Sequence, residues 1–298
     1  MSERLRLTGC GTALVTPFTT GGDIDERSLR SLIDWQIAEG VGFLVPCGST
    51  GEAATLSPAE QRRVVDITVE QTAGRAPVVA GAGSNDTAKA IRTSLEMKAA
   101  GATALLHVVP MYSRPPQRAL LAHFRAIADA CDLPIVLYNV PGRTAVNLES
   151  RTCLELAQDE RFIAVKEASG SITQIAEIIR DRPAGFGVLS GDDGLTFDVM
   201  MRGGEGVISV VSNVVPRLVA ELCRACAAGD LTAARALDAS LVQITAAAFV
   251  ESNPIPVKAM LHYMGRIPNE LRLPLVPLDT RHNDVIWAAL ASTRALAG

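Results

Sequence analysis

Phe162-Ile163-Ala164-Val165-Lys166-Glu167-Ala168-Ser169-Gly170 is a short apolar run that ends on a lysine and is broken by a glycine. It reads as a buried strand. Helical spacing takes over from residue 172 to 180, and the same strand-then-helix order recurs on both sides. Strands are expected at residues 12–16, 43–46, 77–81, 104–109, 134–138, 162–166, 187–190 and 206–209. Helices are expected over 27–39, 87–100, 118–130, 150–157, 172–180, 195–201 and 217–227. Ser57-Pro58-Ala59-Glu60 opens one more, with a capping box and a proline at the first helical position. Strict alternation of this kind requires parallel strands joined by helical crossovers. Eight such units, each about thirty residues or less, favour closure into a (β/α)8 TIM barrel over an open sheet. Residues 229–298 read as mainly helical, over 231–249, 257–264 and 284–296. No Pro/Gly/Ser linker precedes them. The expected organisation is a barrel over 1–228 carrying the active site, with a C-terminal helical region over 229–298 packed on it.

Composition narrows the class. The chain has 298 residues, 48% of them hydrophobic, and a net charge of -4. That length fits one barrel or two ordinary domains and is ample for a large core. Mild acidity and the lack of a basic run give no reason to expect a nucleic-acid partner. No apolar run approaches the ~20 residues needed to span a bilayer, so no membrane partner is expected. Residues 1–8 carry charges with no apolar segment after them, which argues against a secretory signal. Six cysteines are scattered along the chain, and only Cys223 and Cys226 are close. That pair fits one helical turn, because a zinc site would need a second pair. A soluble, reduced, cytoplasmic protein is expected, with no metal and no cofactor.

Of the 28 Lys and Arg residues only four are lysines: Lys89, Lys98, Lys166 and Lys258. Where charge alone was wanted the chain used arginine, which cannot deprotonate and so cannot form an imine. A lysine at the mouth of a buried strand is costly to desolvate, and that cost favours the neutral, nucleophilic amine. The alternative is a buried lysine paired with a carboxylate such as Glu167.

In barrels of this kind the chemistry sits at the C-terminal ends of the strands. After the second strand comes Gly48-Ser49-Thr50-Gly51-Glu52, whose hydroxyls and backbone N–H groups could cradle a carboxylate, or could form a plain turn. Tyr112 follows the fourth strand, Tyr138 and Arg143 the fifth, Gly191 the seventh, and Ile208 lies in the eighth. The chain has three tyrosines; two of them on one rim favour a chemical use over core packing alone. Asp192-Asp193 reads as a helix cap and not a metal site, since His and Cys partners are missing nearby. Gly81-Ala82-Gly83 lacks the third glycine of a dinucleotide fingerprint and lies in the wrong turn. The four histidines form no spaced ligand set, and His107 reads as a satisfied core residue.

Five runs resemble the dihydrodipicolinate synthase / N-acetylneuraminate lyase family: residues 48–52, 138–144, 165–170, 190–193 and 253–258. Together they span most of the chain in order. Tyr112 and the Asn-Val-Pro-Gly-Arg-Thr run at 139–144 resemble the synthase branch more than the sialic-acid lyases. The resemblance implies that Lys166 forms a Schiff base with pyruvate and that Tyr138 moves protons beside it. It implies that Ser49 relays protons between Tyr138 and a Tyr112 reaching in from a neighbouring subunit. Ser49 and Thr50 would hold the pyruvate carboxylate, Arg143 would pair with the carboxylate of L-aspartate semialdehyde, and Gly191 and Ile208 would line the pocket. A dimer that completes the site, doubled to a homotetramer, is implied in turn. The same chemistry on another aldehyde or sugar acid is the competing expectation. Ser49 stands where many members carry threonine, which keeps the hydroxyl but loses the methyl that fixes its rotamer. Lysine-inhibited members tend to have an acid where Lys89 stands and an aromatic where Met111 stands, so weak or absent lysine inhibition is expected.

Overall fold

The computed structural model describes residues 5–293 and residue 295. Part of the N-terminal segment (residues 1–4) and residues 294 and 296 of the final expected helix lie outside them. Eight parallel strands alternate with helices: β1 (Gly9–Ala13), β2 (Phe43–Val45), β3 (Val79–Gly81), β4 (Ala104–Val108), β5 (Ile135–Asn139), β6 (Phe162–Glu167), β7 (Gly187–Ser190) and β8 (Gly206–Ser209). Between and after them run α1 (Glu26–Ala38), α2 (Pro58–Thr72), α3 (Thr87–Ala99), α4 (Gln117–Ala130), α5 (Pro141–Thr144), α6 (Ser150–Ala157), α7 (Ile172–Asp181), α8 (Thr196–Met201) and α9 (Pro216–Ala228). The strands pair in the order β2-β1-β8-β7-β6-β5-β4-β3. A parallel bridge from Leu44 to Val78 joins the two ends, with Leu44 N donating to Pro77 O (3.0 Å) and Gly81 N to Pro46 O (2.9 Å). The ring is therefore closed, and the expected (β/α)8 TIM barrel is what forms.

Period-two alternation sorts the strand residues between two faces. Val136, Tyr138, Ala164, Leu189 and Ile208 pack together inside the barrel. Their neighbours Leu137, Val165 and Val188 join the layer between strands and helices. The C-terminal helices α10 (Leu231–Ala248), α11 (Ile255–Tyr263) and α12 (Asn283–Ser292) have no core of their own. Leu241, Ile244, Ala247, Val257, Met260 and Ile286 belong to one apolar cluster with Cys10, Leu14 and Val207 of the barrel.

Local signals explain most boundaries. Ser57 accepts from Glu60 N (3.3 Å) while its own N–H donates to Glu60 Oε2 (2.8 Å), which closes the capping box ahead of α2. The first strand differs from the sequence expectation, since pairing uses Gly9–Ala13 and not residues 12–16. Gly9 sits opposite Gly206 on β8, and a Cβ on Gly206 would lie 1.9 Å from the Gly9 carbonyl oxygen. Glycine at 206 permits this close backbone approach. Pro141–Thr144, between the expected fifth strand and the helix at 150–157, forms the short helix α5. No helix among the described residues is long and apolar enough to cross a membrane, and all six cysteines are free and buried.

His107 lies in the helix-facing layer, fully buried, with Nε2 3.1 Å from Ser94 Oγ. It is a core residue, as expected, but only half satisfied, because Nδ1 has no partner among the described residues. Burial, helped by nearby His123, pushes its pKa down to about 3. The unfolded chain takes up this proton near pH 6.5 and the folded chain does not. The associated stability is therefore complete above about pH 6.5 and is lost as pH falls toward 3. Urea unfolding at pH 7.5 and pH 5 should differ by roughly 2 kcal/mol from this group. His107→Gln should remove that share of the pH dependence.

Candidate active site

Lys166 is next to last in β6 and shares the inward face with Ala164. It is 5% exposed. Strand register sets Tyr138 of β5 beside it, and the amine lies 4.3 Å from the centre of the Tyr138 ring. Glu167 points to the other face. There it accepts from Asn139 Nδ2 (3.1 Å), Gln174 Nε2 (3.0 Å) and Ser169 N (2.7 Å). Burial raises the Glu167 pKa, and these donors oppose the rise. Lys166 therefore does not pair with Glu167, and its amine makes no ion pair with any described residue.

Gly191 supports the lysine from the side. A Cβ there would lie 2.7 Å from Ala168 Cβ and 3.1 Å from Lys166 Cγ, so only glycine leaves the lysine stem its path. Ile208 is fully buried in the barrel interior with Tyr138 and Leu189. Gly191, which is only partly buried, directly follows β7 at the same end of the barrel as Lys166.

The open cleft above has a volume of about 620 Å³, and Gly48, Ser49, Tyr138, Val140, Arg143 and Asn253 are on its walls. Lys166 and Thr50 lie just behind, Lys166 touching the cleft through the Tyr138 ring. In the loop after β2, the N–H groups of Gly51, Glu52 and Ala53 turn back onto the carbonyls of Gly48 and Ser49. Those of Gly48, Ser49 and Thr50 find no acceptor among the described residues. Three free amides in succession suit an anion. The loop is seated on β3, where a Cβ on Gly81 would lie 2.1 Å from Cys47 O. Gly83 likewise abuts Val108, with a Cβ 2.7 Å from its backbone nitrogen. Close packing thus accounts for the two glycines that imitate a dinucleotide motif.

Thr50 Oγ1 accepts from Asn253 Nδ2 (2.8 Å), and Arg143 Nη2 donates to Asn253 O (3.2 Å). Asn253 thereby joins the loop to the arginine on the rim. Ser49 Oγ makes no hydrogen bond with a described residue, to Tyr138 or otherwise. Tyr112 does not enter its own chain's cleft: it is 89% exposed at a positive φ of 73°. Lys89 and Met111 are on the cleft wall. Asp192 accepts from Gly194 N (3.0 Å), and Asp193 accepts from Ser209 Oγ, Val210 N and Val211 N. Asp192 is the cap that the sequence suggested, and Asp193 instead ties this turn to the end of β8.

The match to a family model, dihydrodipicolinate synthetase, runs over residues 6–293. The chain belongs to that family. It is 50% identical over 275 residues to the 4-hydroxy-tetrahydrodipicolinate synthase of Koribacter versatilis, covering 92% of each chain. It is 48% identical to the enzyme of the same name from Nitratidesulfovibrio vulgaris strain Miyazaki F, covering 96% of this chain and 99% of that one. Among solved structures, the dihydrodipicolinate synthase of Acinetobacter baumannii complexed with pyruvate superposes with a TM-score of 0.96 at 38% identity, covering 97% of this chain and 100% of that one.

Membership in the dihydrodipicolinate synthetase family agrees with the expectation from the five motif runs. Three residues around the cleft had no role at that stage: Glu52, Asn253 and Lys258. Lys258 Nζ bonds Glu52 Oε1 at 2.7 Å with both side chains fully buried. The scarcity of lysine that singled out Lys166 applies equally to Lys258. Gly191→Ala should crowd the Lys166 stem and shift its amine. Turnover should fall by about tenfold or more while circular dichroism stays native; steady-state rates and a thermal melt check this.

Proposed function

We infer that this chain is a 4-hydroxy-tetrahydrodipicolinate synthase, a Schiff-base lyase that condenses pyruvate with L-aspartate 4-semialdehyde in lysine (diaminopimelate) biosynthesis. The observation that carries the reading is the buried Lys166 amine, free of any carboxylate and set against Tyr138. It stands in a chain whose relatives at 48–50% identity bear that activity's name. An ion-paired ammonium would be a poor nucleophile; an unpaired buried amine is a good one.

The chemistry follows. The Lys166 nitrogen attacks the keto carbon of pyruvate, and loss of water leaves an imine. The imine withdraws electrons, so a methyl proton can leave and the methyl carbon becomes an enamine nucleophile. That carbon attacks the aldehyde. The amine of the second substrate then attacks the imine carbon, closing the ring and freeing Lys166. Tyr138, whose hydroxyl makes no hydrogen bond with a described residue, is assigned to carry protons at these steps. Ser49 and Thr50 are assigned to the pyruvate carboxylate, supported by the free amides of their loop. Arg143, held by the Asn253 carbonyl, is assigned to the carboxylate of the semialdehyde. Gly191 and Ile208 are assigned to shaping the space around Lys166 and Tyr138.

Tyr112 completes the relay from a second subunit. Its support is its exposure: a large aromatic side chain that finds no burial in its own chain. A homotetramer built as a dimer of dimers, acting in the cytoplasm, fits this assignment.

Borohydride reduction with pyruvate should add one reduced pyruvyl group at Lys166, read by peptide mass, and Lys166→Ala should abolish both adduct and turnover. An adduct elsewhere, or none, removes the reading. Arg143→Ala should leave pyruvate trapping intact while raising the KM for aspartate semialdehyde by about 100-fold, the scale of a lost Arg–carboxylate pair.

Lys89 on the cleft wall sets a further expectation. Its ammonium repels a cationic effector, so lysine at millimolar concentration should leave the steady-state rate nearly unchanged.

A further inference from the structure

The loop that presents Ser49 and Thr50 is held from behind by a charge pair that no step of the reaction uses. Glu52 and Lys258 lie 2.7 Å apart with both side chains fully buried. Lys258 Nζ also donates to Thr16 O (3.0 Å), and Thr16 Oγ1 donates to Gly51 O (2.7 Å). The second Glu52 oxygen accepts from Arg272 N (3.1 Å). The loop is thus tied at Gly51 and Glu52 to one buried ammonium on α11.

Two features indicate that this tie sets geometry and not stability. First, the free amides of Gly48, Ser49 and Thr50 are bracketed by Cys47 (φ 56°) and Glu52 (φ 54°). Non-glycine residues with such angles persist only where their surroundings over-determine them, and they gather at sites where geometry matters. Second, a buried ion pair is a weak source of stability, because desolvation offsets the attraction and a well-packed apolar pair serves as well. What an apolar pair cannot supply is a fixed point for the Glu52 carboxylate, and through it for the backbone immediately before.

We propose that Glu52 and Lys258 are positioning residues: their ion pair fixes the loop backbone so that the amides at 48–50 meet the carboxylate of the incoming keto acid. Neither touches substrate; they act through Ser49 and Thr50. The proposal rests on the pyruvate reading given above.

The test uses full-length chains and two readouts: the pyruvate concentration that half-saturates borohydride trapping at Lys166, and kcat at saturating pyruvate. The double variant Glu52→Leu/Lys258→Met replaces the pair by apolar groups of similar volume. It should fold with a Tm close to that of wild type. It should need about tenfold more pyruvate or beyond, as for a misplaced hydrogen bond to a charged group, while kcat stays within about threefold. Glu52→Asp keeps the charge and shortens its reach; it should shift half-saturation the same way by less, and it decides the matter if the double variant does not fold. Unchanged half-saturation in a folded variant overturns the proposal. A fall in kcat that tracks loss of Tm, with pyruvate affinity unmoved, also overturns it. A wild-type chain that forms no adduct at Lys166 would remove the pyruvate reading itself, and the proposal with it.

Discussion

Parity along β6 decides where the amine points. Side chains alternate between the faces of a strand, and a slip of one residue would send Lys166 to the helix layer and Glu167 into the barrel. The outward network prevents that slip. Asn139 Nδ2 reaches both Glu167 oxygens (3.1 and 3.2 Å), and Asn139 Oδ1 accepts from Leu148 N (2.9 Å). β5 is therefore clamped to β6 on the side away from the chemistry. The consequence on the inner side is that Tyr138 and Lys166 share a rung of the ladder. A buried carboxylate facing the helices is costly unless its oxygens are satisfied. Here the donors that satisfy it also fix the register.

The loop after β2 depends on residues far along the chain. Asn253, Lys258 and Arg272 all lie beyond the eight barrel units, yet each bonds Thr50 or Glu52. The C-terminal helices also share their apolar cluster with the barrel strands. Barrel and C-terminal region thus fold around common contacts. In a closed barrel the loops are the least constrained elements. Distant anchors on a packed helix convert one of them into a fixed surface.

Much of the architecture could be read from residue order, because hydrophobic spacing and capping are local. The capping box at Ser57–Glu60 and the strand that carries Lys166 near its end are examples. The misplaced first strand shows where local reading stops. A Cβ on Gly206 would strike the backbone of Gly9, 197 positions away, and neither residue betrays this alone. The candidate site divides the same way. Lys166 and Tyr138 were accessible because burial and strand parity follow from the run that contains them. Asn253 and Lys258 were not, because their partners are more than 200 positions away: Asn253 to Thr50 by 203 and Lys258 to Glu52 by 206.

The two buried lysines show how surroundings turn one side chain to two uses. Lys98, at the surface, pairs with Asp132 (2.6 Å) and is an ordinary exposed cation. Lys258 is fully buried, and desolvation lowers its pKa while Glu52 pulls it back. Its donors are spent on Glu52 and Thr16 O. An amine engaged with an adjacent carboxylate is kept charged, so its lone pair is unavailable to a carbonyl. Lys166 is buried nearly as deeply, but the nearest carboxylate in sequence, Glu167, is turned to the opposite face by strand alternation. What faces its amine is the ring of Tyr138, which offers a weak attraction and no proton acceptor of carboxylate strength. The barrel thus holds one buried lysine paired with a carboxylate and one that is not, and for Lys166 the difference lies in the side of the backbone on which the neighbouring acid falls.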